Sequence, residues 1–211
     1  MESAEALPTR REKRKQEIRH RILDAAYTLF RDLGIESTSI EQVCTAADVA
    51  RRTFYGYYTN KQDLLRDLSH NRSVRAADEL VSNIMERYSS TSERLAAIID
   101  GLETNLSRYH EIDRHLMLIS PGPEDERNPL REVSDSLQDR FCEILRAGQV
   151  LGDTTSEFSP EILAEMVVGT TNSLMVHWAI DTSFPLFEKL REARLLFNQV
   201  ICVSQQSPFK V

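Results

Sequence analysis

Arg51 and Arg52 open a short run, Arg51-Arg52-Thr53-Phe54-Tyr55, followed closely by Tyr57 and Lys61. A guanidinium offers a planar fork of N–H donors that fits guanine O6 and N7, a pairing worth about 1–3 kcal/mol of discrimination against the wrong base. Thr53 suits a thymine methyl or a phosphate, and the hydroxyls of Tyr55 and Tyr57 suit phosphate oxygens. Upstream, Thr38 and Ser39 precede a helix start whose free N–H groups favour a phosphate. Ala50 begins the segment that carries the arginines, and Lys61 adds a charge at the next helix start. Lys13 and Arg14, inside the basic run from Arg10 to Lys15, extend the set toward the backbone or an adjacent minor groove. This is recognition chemistry, with no covalent bond made or broken. An arginine pair by itself is more often a solvated doublet, so its meaning depends on the elements that hold it.

Those elements follow from periodicity. From Thr9 to Leu33 the residues Ile18, Ile22, Ala25, Ala26, Leu29, Phe30 and Leu33 recur at spacings of three and four, which predicts one long amphipathic helix. Gly34 stands where such a helix commonly ends. Thr38 and Glu41 have the spacing of a capping box, and Ile40, Val43 and Ala47 mark the buried face of a helix of about two turns. Asp48 stands where the chain must turn sharply; Asp tolerates a left-handed backbone better than most residues. Val49 is expected as a buried plug, Phe54 and Tyr58 as core, and Asn60 as the cap of the next helix, with Asp63 in its first turn. Two short helices joined by a tight turn, the second carrying the arginines, make the layout of a helix-turn-helix whose second helix enters the major groove.

Beyond Lys61 the pattern stays helical. A long helix is expected to about Tyr88, another through Leu95 to Leu106 behind a Ser90–Glu93 box, and a short one from Glu111 to Ile119. Pro121-Gly122-Pro123 is a break, Leu130 to Ala147 is helical, and Gly148 to Glu157 reads as a loop ended by the Ser159-Pro160 helix start. The last two helices, residues 162–180 and 186–203, are apolar around much of their circumference. A helix packed only within its own domain needs one apolar stripe, so these two point to a homodimer formed through them; a thick monomeric core is the alternative. No strand pattern stands out, and the chain reads as all-α with about nine helices.

Composition sets limits. The 211 residues are 41% hydrophobic and 28% charged, with a net charge of −7, the balance of an ordinary soluble globular chain. The charge is unevenly spread. From Thr9 to Lys61 there are 11 Lys and Arg against 7 Asp and Glu, a balance of +4. From Gln62 to Val211 there are 15 against 24, a balance of −9. Charges more than about 8–10 Å away are screened at cellular salt, so the acidic remainder does not forbid a basic head from meeting DNA. No apolar run is long enough to span a membrane, no secretory h-region opens the chain, and a cytoplasmic place beside the nucleoid is expected. Cys44, Cys142 and Cys202 are odd in number and far apart, which fits reduced thiols. His110 and His115 lie near Glu111 and Asp113, but their spacing puts the imidazoles off a common face, and no metal is expected. A Gly-rich phosphate loop, a G-x-S-x-G elbow and an HExxH motif are all missing, so no enzyme is expected.

The stretch from Ile18 to Leu65 resembles the tetracycline-repressor (TetR) family of bacterial one-component regulators. The similarity runs through Ile22-Leu23-Asp24-Ala25-Ala26, Leu29-Phe30, Gly34, Thr38-Ser39-Ile40, Ala46-Ala47-Asp48-Val49, Thr53-Phe54-Tyr55 and Tyr57-Tyr58-Thr59-Asn60-Lys61-Gln62-Asp63-Leu64-Leu65. Asp48, Ala50 and Gly56 depart from the family's pattern. A disordered leader is expected over 1–8 and a tail over 206–211; the resemblance implies a three-helix helix-turn-helix domain over 9–65 and a helical ligand-binding and dimerisation domain over 66–205. It implies a dimeric repressor that a small-molecule effector releases from a palindromic double-stranded operator, with no other cofactor, the signal passing along the helix from Lys61. Within the second domain Tyr109, Met117, Phe141, Met166, Thr170, Met175 and Trp178 are candidates for the ligand site; each is also ordinary core material. The competing readings are an all-α dimeric protein-interaction module and a regulator that activates rather than represses.

Overall fold

The computed structural model describes residues 9–81, 84–119 and 129–203. The expected leader, the Pro121-Gly122-Pro123 break and the tail lie outside them. Among the described residues the fold is all-α with ten helices: α1 (Arg10–Leu33), α2 (Ile40–Ala46), α3 (Arg51–Tyr55), α4 (Lys61–Val81), α5 (Ile84–Arg87), α6 (Thr91–Leu106), α7 (Glu111–Met117), α8 (Pro129–Leu151), α9 (Pro160–Ile180) and α10 (Leu186–Ile201). The stretch read as one helix from Lys61 to about Tyr88 is helical over Lys61–Val81 and Ile84–Arg87, and residues 82–83 between them lie outside the described residues. The chain divides into two compact units, one running through Ser69 and including His110–Leu116, the other formed by His70–Tyr109 and Met117 onward.

In the first unit α1 starts on a full capping box, Thr9 with Glu12, and ends at Gly34, whose φ of 85° is open to glycine. Its exposed first two turns carry the basic run. Its later turns bury Ile22, Leu23, Ala26 and Phe30, spaced to form one face; Leu33, expected on that face, is exposed. α1 packs against α2, and the same unit also buries Val43 and Ala47, Phe54 of α3, Leu64 and Leu68 of α4, and Ile112 and Leu116 of α7. Phe54 has no exposure at all. That one ring anchors a helix of five residues, too short to hold itself in water. Three polar ties add to the packing. Tyr58 and Arg19 meet on Asp67, Tyr27 donates to Asp113 at 3.1 Å, and the Ser69 hydroxyl donates to the Leu116 carbonyl at 2.7 Å.

The second unit is built on α8 against α9 and on α10 against both α6 and α9. Its core includes Leu95, Ile98, Ile144, Leu145, Leu163, Val167, Leu190 and Phe197. The predicted starts at Ser90 and Ser159 are both present as side-chain caps. Gly148 is not the helix stop the sequence suggests: α8 continues to Leu151, and Gly152, with φ 77°, follows it. Gly148 is a glycine for another reason. A Cβ there would fall on the hydroxyls of Thr91 and Thr154, closer than real Cβ contacts come. Those hydroxyls belong to a clasp. Asp153 accepts from the Thr91 N–H at 2.8 Å and from its hydroxyl at 2.7 Å, and the Thr154 hydroxyl donates to Thr91 at 2.9 Å. Among the described residues no helix is long and apolar enough to cross a membrane.

Candidate nucleic-acid interface

The turn between α2 and α3 forms as the sequence requires. Asp48 adopts φ 51°, the left-handed conformation, while Asp48 N–H and Val49 N–H close back on the Thr45 and Cys44 carbonyls. Arg21 of α1 stands 3.7 Å from the Asp48 carboxylate. Val49 is half-buried rather than fully plugged. Ala50 is the N-cap residue of α3 and makes no side-chain cap bond; its carbonyl accepts from the Thr53 and Phe54 N–H groups.

The start of α2 corrects the expected cap. Ser39, not Thr38, is the N-cap, and the reciprocal partner is Gln42, not Glu41. Thr38 is buried at 1% exposure, and its hydroxyl donates to the Gly34 carbonyl at 2.8 Å and the Leu29 carbonyl at 3.3 Å. It seals the end of α1 and has no surface left to offer a phosphate, whereas Ser39 is exposed.

On α3, burial separates the residues that pack from those that face solvent. Phe54 is inside with Tyr58, their rings 5.6 Å apart. Arg51, Arg52 and Tyr55 are outside, and Thr53 is half-buried between the two sets. The two arginines differ. Arg51 Nη1 lies 2.8 Å from Glu41 Oε1, and its guanidinium sits 5.7 Å from the centroid of the Tyr55 ring. Tyr55 and then Glu41 push its pKa above that of an ordinary arginine. Arg52 has no acidic partner among the described residues. The sequence places Glu41 in the cap that Gln42 occupies, and so does not show its pairing with Arg51.

The flanking candidates are held in place by backbone carbonyls. The Tyr57 hydroxyl donates to the Lys15 carbonyl at 3.2 Å, which fixes this ring beside the basic start of α1. Lys61 Nζ donates to the Ile35 carbonyl at 2.7 Å. Lys13 and Arg14 are exposed. The helix-turn-helix therefore brings Ser39, Ala50, Arg51, Arg52, Thr53 and Tyr55 onto adjoining elements, and ties Tyr57 and Lys61 to neighbouring segments. Behind them, burial first and then the Asp67 carboxylate push the Tyr58 phenol pKa far up, so this hydroxyl remains a donor. The Arg19 guanidinium is likewise held charged by its bonds to Asp67.

Within the second unit, Phe141 is buried, and Tyr109, Met117, Met166, Met175 and Trp178 are partly buried against the same core. Tyr109 and Trp178 meet with ring centroids 6.4 Å apart. Thr170 is half-buried on α9. Cys142 is buried with its Sγ 3.7 Å from the Pro160 carbonyl, and burial pushes its thiol pKa up, the opposite of an activated thiol. The Asp113 carboxylate, near the two histidines, accepts from Tyr27 and from the His110 N–H. Among the described residues no group of three or more His, Cys, Asp or Glu is arranged to hold a metal ion.

Comparison with known proteins gives this geometry a context. Residues 22–68 match the family model of bacterial regulatory proteins of the tetR family. Over 208 residues the chain is 36% identical to the HTH-type transcriptional regulator AcrR of Shigella flexneri, spanning 92% of this chain and 94% of that protein. Among solved structures, the fold is similar to the Thermus thermophilus FadR, a TetR-family transcriptional repressor in complex with lauroyl-CoA, with TM-score 0.65 and 23% identity over 92% of this chain and 99% of that one. It is also similar to SmeT, the repressor of the Stenotrophomonas maltophilia multidrug efflux pump SmeDEF, with TM-score 0.68 and 20% identity over 92% of this chain and 95% of that one.

Proposed function

The chain belongs to the tetR family of bacterial regulatory proteins and is a DNA-binding transcriptional regulator; from that premise we propose that it is a homodimeric repressor, released from a palindromic operator by a small apolar effector. One observation carries the reading of the head. A five-residue helix is pinned by the fully buried Phe54 while Arg51, Arg52 and Tyr55 are left in solvent. Buried side chains spend their donors on the protein; exposed ones on a rigid support keep them for a partner. In this reading α3 enters the major groove, and Arg51 and Arg52 meet base edges. Ser39, Thr53, Tyr55, Lys61, Lys13 and Arg14 meet the sugar-phosphate backbone, which sets register, while Tyr57, whose one O–H donates to the Lys15 carbonyl, holds the basic start of α1 beside them.

The homodimer is supported by the surface of the last two helices. Ile162, Val176 and Ile180 of α9 and Leu195 and Leu196 of α10 are exposed, Leu195 at 70%. Exposed large apolar residues in that density on two successive helices fit burial against a second copy. The effector site is drawn from Tyr109, Met117, Phe141, Met166, Met175 and Trp178, with Thr170 as its polar group. An effector with an extended apolar part suits such a lining, and the FadR neighbour holds lauroyl-CoA. The effector weakens DNA binding only if it binds the DNA-incompetent state more tightly than the competent one. The protein acts in the cytoplasm, where its operator lies.

Selection of bound duplexes from a randomised library, followed by release with acyl-CoAs and apolar drugs, tests this reading. A palindromic consensus and compound-dependent release are expected. A non-palindromic site would remove the two-fold dimer, and the absence of any enriched sequence would remove DNA readout by α3.

A further inference from the structure

Glu41 is an acid on the face that would approach a polyanion. Its place there is unfavourable unless it does something. The carboxylate is more than half exposed, and so is the guanidinium it pairs with, Arg51, at 2.8 Å. The two lie on different helices, α2 and α3, on either side of the Asp48 turn. They also wall the same open depression, of about 530 Å³, together with Thr45 and Asp48. An exposed ion pair of this kind adds little to stability, commonly under about 1 kcal/mol. Its geometry is more consequential than its energy. A free arginine samples many rotamers and can offer either of its two donor edges to a base. Arg51 is held at one end by Glu41 and flanked by the Tyr55 ring. With Nη1 engaged by Glu41, the edge formed by Nε and Nη2 is the one the ion pair does not occupy, and it is the edge available for bidentate pairing. Arg52, beside it, has no such brace among the described residues.

We propose that Glu41 is a specificity-determining positioning residue, which sets the donor edge that Arg51 presents and so fixes base preference beneath Arg51 jointly with it. The inference rests on α3 being the reading helix. The function of Glu41 is then indirect. It touches no base; it removes alternatives from the residue that does. Two consequences separate this from a bulk-charge effect. Loss of the acid by itself should tighten all DNA binding a little, because one repulsive charge has gone. Loss of the brace should also blur sequence preference at one base pair in each half-site, and only while Arg51 is present.

The experiment is a set of four selections from the same randomised duplex library, at one fixed salt concentration, with the full-length wild type, Glu41→Gln, Arg51→Ala and the double variant. Both positions are exposed, and circular dichroism of each variant establishes that the helices are retained. Expected for Glu41→Gln is a loss of about fivefold in discrimination at one base pair per half-site, with the other positions unchanged. Arg51→Ala should lose preference at that same base pair, and adding Glu41→Gln to it should change the consensus no further. The proposal is overturned if Glu41→Gln leaves every preference intact, or if it shifts the consensus equally in the Arg51→Ala background, which would mean that Glu41 meets a base itself. If the wild type enriches no sequence, the reading-helix assignment fails and the proposal falls with it.

Discussion

The Tyr58 hydroxyl donates to the Asp67 carboxylate across 2.6 Å, and the same carboxylate receives the Arg19 guanidinium. Three segments meet on one acid: α1, the chain just after α3, and α4. Tyr58 follows α3 closely and is 5% exposed, so this contact holds the end of that helix to the rest of its unit. Tyr58→Phe keeps the ring and the Arg19–Asp67 pair and removes only the donor. A hydrogen bond to a charged group is worth about 1.5–3 kcal/mol, and a fall of that size in urea-unfolding stability is expected. A fall below about 0.5 kcal/mol would show that the acid is satisfied without Tyr58.

Arg52→Ala should reduce binding to a selected operator to the level of unrelated DNA while leaving the helical content unchanged, because its side chain is exposed and has no acidic partner among the described residues. Lys61→Ala should behave differently. It removes a bond to the Ile35 carbonyl, costing about 1 kcal/mol of stability. It should also weaken all sequences alike, with a salt slope shallower by about one unit. Binding titrations at several salt concentrations separate the two, and a sequence-selective loss in Lys61→Ala would count against a phosphate role.

Gly148→Ala should destabilise the second unit although it raises helix propensity. The added methyl would meet two hydroxyls that are already bonded to each other and to Asp153. Overpacking of this sort costs about 1–3 kcal/mol, well beyond the propensity gain of about 1 kcal/mol or less. Thermal unfolding decides the sign, and a rise in melting temperature would refute the clasp.

Asp63 gives a pH dependence. The Thr59 hydroxyl, and then the Thr59 N–H with Arg66, stabilise its charged form, so its folded pKa lies below the ordinary 3.8. A depressed carboxylate contributes its full stabilisation above the ordinary value and loses it as pH falls through the lower folded value. The stability difference between wild type and Asp63→Asn should therefore be constant above about pH 5 and shrink toward zero below the ordinary 3.8. Urea unfolding from neutral pH downward measures it; a difference that grows with acid would reverse the assignment.

Most of the first unit is legible in the sequence because its signals are local. Gly34, Asp48, Asn60 and the spacing of Ile22, Ala26 and Phe30 each act within a few residues. The misreadings have one cause, which is that two local solutions compete and a distant residue chooses. Thr38/Glu41 and Ser39/Gln42 are overlapping capping boxes of equal quality. Burial of Thr38 onto the Leu29 and Gly34 carbonyls selects the second and frees Glu41 for Arg51. Gly148 looks like a helix stop until Thr91 is seen beside it. In the second half the apolar helices are evident, but the choice of which apolar residues face a core, a second copy or an effector is not encoded in periodicity.

The placement of α7 bears on how such regulators can be recombined. Asp113 and Leu116, which hold Tyr27 and Ser69, come from beyond residue 109 and yet belong to the first compact unit. A chimera that transplants only the chain through Ser69 onto a foreign sensor would carry a reading head with part of its floor missing. A graft that brings residues 110–116 along, or a recipient that supplies their equivalents, is the smallest exchange that keeps the head whole.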